Sequence, residues 1–218
     1  MHKPLLIAHR GDTINFPENT FKSFESAFEK GADGVEMDAQ LNKDGDVIIV
    51  HDFMFDQNKK YPLLRDVVEK CKDKGRLEIE LKSLEPQIVD KVANIIFAYR
   101  VKNYEITSSV LPLLPHVKKA LPDAKIGMIF RKNMIEPWMS EKFITTFIEG
   151  YMMLTGANVL HYEFDLYTKE LVESLHEKGY LAHTLLRREN TDKYNYIQEM
   201  GLDQCTFDDI NLLEAVKA

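Results

Sequence analysis

Glu36 and Asp38 stand one residue apart in the segment Gly34–Leu41, and Glu80 and Lys82 repeat that spacing further along. On a strand, side chains alternate between faces, so each pair points to one side. Two such strands lying together would bring Glu36, Asp38 and Glu80 into one small volume. Like charges that close repel unless a cation lies between them. Carboxylate oxygens are hard ligands, and the divalent ions that suit them are Mg2+ or Ca2+ rather than zinc. The plainer alternative is a set of solvated acids at strand ends.

Two histidines stand where short apolar runs stop. His9 follows Leu5–Ala8 and His51 follows Val47–Val50. At strand ends they could serve as general base and general acid on a phosphodiester. Arg10, next to His9, carries a planar fork of donors that matches phosphate oxygens. Taken singly, a strand-end histidine is more often a hydrogen-bonded structural residue.

The elements that must position these groups alternate along the chain. Strand-like runs are Leu5–Ala8, Gly34–Leu41, Val47–Val50, Leu77–Leu81, Glu105–Thr107, Lys125–Phe130, Val159–His161, Tyr180–Leu185 and Gln204–Phe207. Between them fall helical patterns at 19–30, 63–71, 86–99, 113–120, 138–150, 169–178 and 192–200, with a short last helix at 212–217. The first shows the apolar face Phe21, Phe24, Ala27 and Phe28, with Gly31 where a helix C-terminal glycine belongs. Such alternation argues for a parallel α/β fold. With Val47–Val50 counted as an extension of the second strand, eight strand–helix units result. Eight units suit a closed (β/α)8 TIM barrel, with an open doubly wound sheet as the alternative.

Composition bounds the function. The 218 residues suit one domain spanning 1–218, and 44% are hydrophobic, as in a globular chain. The formal net charge of −7 argues against nucleic acid as a partner. An anionic substrate would then need a local cluster of cations or a metal. Cys71 and Cys205 are far apart and read as reduced thiols of a cytoplasmic protein. The apolar run Leu5–Ala8 is too short for a signal-peptide core or a membrane span, so no stable membrane insertion is expected.

Taken together, the segments say more than their parts. His9-Arg10-Gly11, Pro17-Glu18-Asn19-Thr20, Gly31 to Asp38, Lys43-Asp44-Gly45 and His51-Asp52 resemble the glycerophosphodiester phosphodiesterase family in order and spacing. Glu80-Leu81-Lys82 resembles that family's Glu-apolar-Lys strand, Ser108-Ser109 its paired serines, and Gly201-Leu202-Asp203 its late turn. The resemblance implies a (β/α)8 barrel that uses a divalent cation to cleave a small-molecule phosphodiester into an alcohol and a phosphomonoester. It implies Glu36, Asp38 and Glu80 as metal ligands, His9 and His51 as the acid–base pair, and Arg10 and Lys82 as phosphate contacts. It also implies that a neighbouring substrate hydroxyl can act as internal nucleophile. Glu18 and Asn19 match a motif near the site and are expected to support it, although Glu18 could instead cap the helix start.

Departures from the family pattern fall in substrate-facing loops. His183-Thr184 occupies the region of the family's usual Trp, and Thr206-Phe207-Asp208-Asp209 that of its Thr-Asp ending. The Arg-Thr-Thr run after the His-Asp pair is missing, and with only 52–79 between His51 and Glu80 the usual insertion after the second strand is nearly absent. A more polar wall at His183 points to small glycerophosphodiesters. The alternatives are a lysophospholipase D-type enzyme, or a non-catalytic barrel that binds phosphorylated metabolites. His161 could line the pocket but reads rather as a packed structural residue, and Arg187-Arg188-Glu189 could steer an anionic head group but reads rather as a solvated loop. Glu78 lies either against Lys82 or outside the site.

Overall fold

A computed structural model describes residues 3–217, with the side chains of 189–191 and 217 outside the described set. The elements run β1 (Leu5–Ala8), α1 (Phe21–Glu29), β2 (Gly34–Leu41), β3 (Val47–Ile49), α2 (Leu64–Cys71), β4 (Arg76–Leu81), α3 (Gln87–Ala98) and β5 (Tyr104–Ser108). They continue α4 (Leu114–Ala120), β6 (Lys125–Ile129), α5 (Glu141–Thr155), β7 (Val159–Glu163), α6 (Lys169–Glu177), β8 (Leu181–Leu186), α7 (Tyr194–Met200), β9 (Gln204–Phe207) and α8 (Leu212–Lys217).

The sheet order is β1-β9-β8-β7-β6-β5-β4-β2, and β1 pairs again with β2. That second pairing, Ile7 opposite Gly34, closes eight parallel strands into a barrel. The open-sheet alternative is thereby excluded. One expectation changes: β3 does not extend β2 but folds back antiparallel on it, with Ala39 opposite Ile49. The turn at 42–46, with Gly45 at φ 79, makes the hairpin. It leaves β3 outside the ring.

Alternation along the strands sorts two environments. Val35, Met37, Leu77, Ile79, Leu81 and Ile106 join the apolar core with Phe24, Ala27, Val67, Val68, Ile88 and Val92 of the helices. Each such side chain contributes on the order of 1.5–3 kcal/mol by leaving water. The intervening positions are polar and buried: Glu36 and Asp38 on β2, Arg76, Glu78 and Glu80 on β4, Glu105 and Thr107 on β5, His183 on β8 and Gln204 and Thr206 on β9. Most barrels fill this space with branched apolar residues; here it is a network of charges.

Helix α1 begins at a capping box in which Thr20 accepts from the Ser23 amide and Ser23 accepts from the Thr20 amide. The span expected at 138–150 is shifted to Glu141–Thr155, because Ser140 caps its start and Gly156, at φ 72, ends it. Gly150 is tolerated inside the helix. The span expected at 192–200 begins as a tight 3-10 segment, Arg188–Lys193, before α7. Cys71 and Cys205 are free and buried. Among the described residues no helix is long and apolar enough to cross a membrane.

Candidate active site

The C-terminal ends of the strands carry the groups that the sequence singles out. His9 leaves β1 directly, and its Nδ1 lies 2.6 Å from Asp208 Oδ1, just beyond β9. Its Nε2 faces Glu36, 3.8 Å from Oε2. With Nδ1–H donated to Asp208, the free lone pair of the neutral ring lies on Nε2. Asp208 was missed as a site residue, because only barrel closure brings it beside His9. The acid after the last strand was the one available signal.

Arg10 follows in the left-handed region, at φ 56, and Asn19 at φ 58. For a residue with a Cβ this conformation costs on the order of 1–2 kcal/mol and recurs at functional sites. The loop between them is held down. Asn19 N–H donates to the Arg10 carbonyl at 3.1 Å, and Gly11 sits so close to α1 that a Cβ there would come within 2.7 Å of Ser23. The turn aims the Arg10 guanidinium back across β2. Its Nε lies 3.1 Å from Asp38 Oδ2, and Arg10 NH1 donates to Glu18 Oε2 at 2.9 Å. Glu18 therefore clamps Arg10, while Thr20 caps the helix.

Glu36 and Asp38 share the inner face of β2, and Glu80 lies beside them on β4, with Asp38 in register with Glu80. Ligand oxygens of the three lie within 4.8 Å of one another, all buried. Asn19 orients Asp38: its Nδ2 donates to Oδ2 at 2.8 Å and its Oδ1 accepts from the Asp38 amide at 3.3 Å. Ser109 Oγ donates to Glu80 Oε1 at 3.3 Å. Lys82 Nζ lies 3.5 Å from Asp38 Oδ1 and 4.0 Å from Glu80 Oε2.

Burial, then the charges of Asp38 and Glu80, push the Glu36 carboxyl well above the usual range. Burial also raises Glu80, against Lys82. Asp38 goes the other way: burial opposes its ionisation, but Arg10, Lys82 and Asn19 hold it below the ordinary value. Glu36 Oε1 and Asp38 Oδ1 are buried with no hydrogen-bond partner. Hard oxygens that converge with two acceptors unmet fit a divalent cation.

His51 stands two residues past β3 on the rim, its Nδ1 3.0 Å from Asp52 Oδ1. Gln40 donates to the carbonyls of Val50 at 3.2 Å and Asp52 at 2.5 Å, which fixes the turn that carries it. His9, Arg10, Glu36, His51, Glu80 and Lys82 line one cavity of about 460 Å3. Arg187 also lines it, whereas Arg188 donates to the Thr13 carbonyl at 3.2 Å and Glu189 lies outside the described side chains. His183 belongs to the cavity floor at 1% exposure and not to an open wall. Glu78 is neither against Lys82 nor outside. It is buried within the barrel, 3.9 Å from His161 Nδ1.

Comparison with known proteins bears on the same residues. The profile of the glycerophosphoryl diester phosphodiesterase family matches residues 9–59, the stretch from His9 past His51. A glycerophosphodiester phosphodiesterase of Caldanaerobacter subterraneus subsp. tengcongensis is 37% identical over 171 residues, covering 62% of this chain and 70% of its own. The chain belongs to the glycerophosphodiester phosphodiesterase family, and it is an enzyme. Another family member, from Bacillus altitudinis, is 29% identical over 78% of this chain and 81% of its own. The glycerophosphodiester phosphodiesterase of Thermotoga maritima superposes with a TM-score of 0.78 at 25% identity, covering 99% of each chain. An Oleispira antarctica phosphodiesterase, solved with the product sn-glycerol-3-phosphate, shares the fold with a TM-score of 0.83 at 19% identity. That match covers 99% of this chain and 97% of the other. The family barrel thus extends well beyond the matched first quarter of the chain.

Proposed function

We propose that this family enzyme hydrolyses a glycerophosphodiester to an alcohol and glycerol 3-phosphate, using Glu36, Asp38 and Glu80 to hold Mg2+ or Ca2+. The observation that carries the reading is the convergence of three buried carboxylates, two with unmet oxygens, beside His9, Arg10 and Lys82 at the barrel mouth. A bound divalent cation would supply stabilisation of the charge that develops on phosphoryl oxygens.

The chain's own residues do the rest. Arg10 and Lys82 bind the phosphate, concentrating positive charge in an otherwise acidic protein. Glu18 and Asn19 support them by aiming Arg10 and Asp38. Asp208 holds the His9 ring so that Nε2 takes the proton of the attacking hydroxyl. As the phosphorus–oxygen bond to the alcohol breaks, His51 gives a proton to the leaving oxygen. The cyclic phosphate so formed is then opened by water, whose proton His51 takes while His9 returns one to the released hydroxyl, leaving glycerol 3-phosphate. The same reading makes residues 1–218 one catalytic domain of a cytoplasmic enzyme with a small-molecule substrate and no nucleic-acid partner. Two free buried thiols agree with a reducing compartment.

A lysophospholipase D-type reading has one observation in its favour. Phe53, Met54 and Leu84, in loops after β3 and β4, are 50%, 92% and 77% exposed near the mouth. The polar floor of Glu78, His161, His183 and Thr206 favours the small diester. Chelator-stripped enzyme incubated with glycerophosphocholine should release choline and glycerol 3-phosphate only after Mg2+ or Ca2+ is restored. Choline phosphate as product, or unchanged turnover without a cation, would overturn the reading. A higher kcat/KM for lysophosphatidylcholine than for glycerophosphocholine would transfer the substrate to the lysolipid class.

A further inference from the structure

Beneath the carboxylate site, the barrel interior holds a second cluster that the mechanism does not use. Glu78 of β4, Glu105 of β5 and His183 of β8 are buried and His161 of β7 nearly so, with one ligand atom of each within 4.8 Å of the others. The Glu78 carboxylate is flanked by two imidazole nitrogens. Its Oε1 lies 3.9 Å from His161 Nδ1 and its Oε2 3.7 Å from His183 Nδ1. Glu78 Oε2 and His183 Nδ1 have no hydrogen-bond partner, although both residues are 1% exposed. Unmet polar atoms that deep call for a ligand.

The opposite ring nitrogens are anchored. His161 Nε2 lies 2.6 Å from Glu105 Oε1, and His183 Nε2 lies 2.6 Å from Thr206 Oγ1. Glu105 is fixed in turn by Arg76 at 3.2 Å and Gln204 at 3.2 Å, so it acts as an anchor and not as a ligand. His161 is held as metal-binding imidazoles are, with its far nitrogen donating to a carboxylate. The Thr206 amide, 3.1 Å from His183 Nε2, favours the proton on Nδ1 while no ion is bound. Gly127 makes the room: a Cβ there would come 2.5 Å from His161 Nε2 and 2.8 Å from Glu105 Oε1.

We propose that Glu78, His161 Nδ1 and His183 Nδ1 form a second cation site that takes a borderline divalent ion such as Zn2+ or Co2+. Two imidazoles and one carboxylate select such ions over Mg2+ and Ca2+. Tetrahedral ligands at zinc distances lie about 3.3–3.4 Å apart. The observed 3.9 and 3.7 Å, which run to the two different oxygens of Glu78, exceed this by roughly half an ångström. The two rings are stacked, their centroids 3.8 Å apart and inclined by 21°, with each Nδ1 within 4 Å of the Glu78 carboxylate. Binding moves the His183 proton from Nδ1 to Nε2, where the Thr206 hydroxyl accepts it and the Thr206 amide gives up its bond to that nitrogen. The three ligands line the cavity floor, which leaves the fourth position open to the cleft.

The test is independent of turnover. Chelator-stripped full-length protein is loaded with Co2+, then desalted in excess Mg2+. One Co2+ per chain should remain, with the visible bands of a nitrogen-ligated, low-symmetry ion, and X-ray absorption should report two imidazoles. Glu78→Gln and His183→Asn should each weaken retention at least tenfold, whereas Glu36→Gln should keep the ion. No retained Co2+ in the wild type would overturn the proposal. So would a retained ion with no imidazole ligand, or one lost on Glu36→Gln and kept on Glu78→Gln. Because the absorption measurement uses the wild type, it decides the matter even where a variant fails to fold.

Discussion

His9 and Asp208 meet across the seam of the barrel, Nδ1 to Oδ1 at 2.6 Å, from opposite ends of the sequence. The carboxylate fixes the ring tautomer and so sets which nitrogen faces the substrate. Asp208→Ala should lower kcat about tenfold or more while changing KM little, since positioned proton transfer is worth about 10²–10⁴-fold. A kcat equal to that of the wild type, measured on glycerophosphocholine, would remove Asp208 from the mechanism.

His9→Ala and His51→Ala should each reduce turnover by about 10²-fold or more, the scale of lost acid–base catalysis. Both residues stand beyond strand ends, outside the apolar core, so thermal unfolding followed by circular dichroism should stay cooperative. A variant that keeps near-normal turnover would show that its histidine is not in the proton path.

Lys82 touches two of the three carboxylates and is 4% exposed. Lys82→Met should cost roughly 1.5–3 kcal/mol in kcat/KM, the worth of a charge-assisted contact to phosphate. Cation affinity, read by calorimetry, should stay or rise, because a positive neighbour has been removed. Weaker cation binding would mean that Lys82 builds the metal site and does not bind phosphate.

Burial and the neighbouring carboxylates raise Glu36 well above its ordinary range, which favours a proton there while no cation is bound. A cation must displace it. Mg2+ binding should therefore release a proton and weaken as the pH falls. Calorimetry in buffers of different ionisation heat measures the release directly, and a heat independent of buffer would contradict it.

Asp12 is buried under the loop that carries Arg10, and accepts from Lys30 at 2.9 Å, Ser26 at 2.7 Å and Asn15 at 3.0 Å. These bonds outweigh burial and lower its carboxyl to about 2 from 3.8. A lowered folded-state value stabilises the fold above the unfolded value and is lost as the pH drops through the folded one. The contribution, about 2 kcal/mol, should be complete above pH 3.8 and fade between 3.8 and about 2. Asp12→Asn should flatten that part of the acid-unfolding curve, and an unchanged curve would refute the assignment.

What the sequence made legible follows from periodicity. Glu36, Asp38, Glu80 and Lys82 could be grouped because a strand's two-residue repeat puts each pair on one face, whatever the rest of the chain does. Strand β1 and the last strand, β9, were found to the residue because polar turns bound them. Helix α5 was misplaced because its ends are set by Ser140 and Gly156, while Trp138 and Gly150 imitate a start and a stop. The Glu78, Glu105, His161 and His183 cluster had no local signature. Each residue stands singly on its own strand, and only ring closure brings the four together. Asp208 was hidden for the same reason, and Glu18 was undecided until Arg10 was seen to turn left-handed toward it.

That closure has a consequence for how the protein comes into being. A ribosome finishes His9, Arg10, Glu36, Asp38, His51, Glu80 and Lys82 within the first two-fifths of the chain. The nascent chain at that point carries every cation and phosphate ligand proposed for the reaction. It has no β9 to cover the open edge of β1 and no Asp208 to turn the His9 ring. Activity therefore awaits the docking of β9 on β1, which closes the barrel and brings Asp208 to His9.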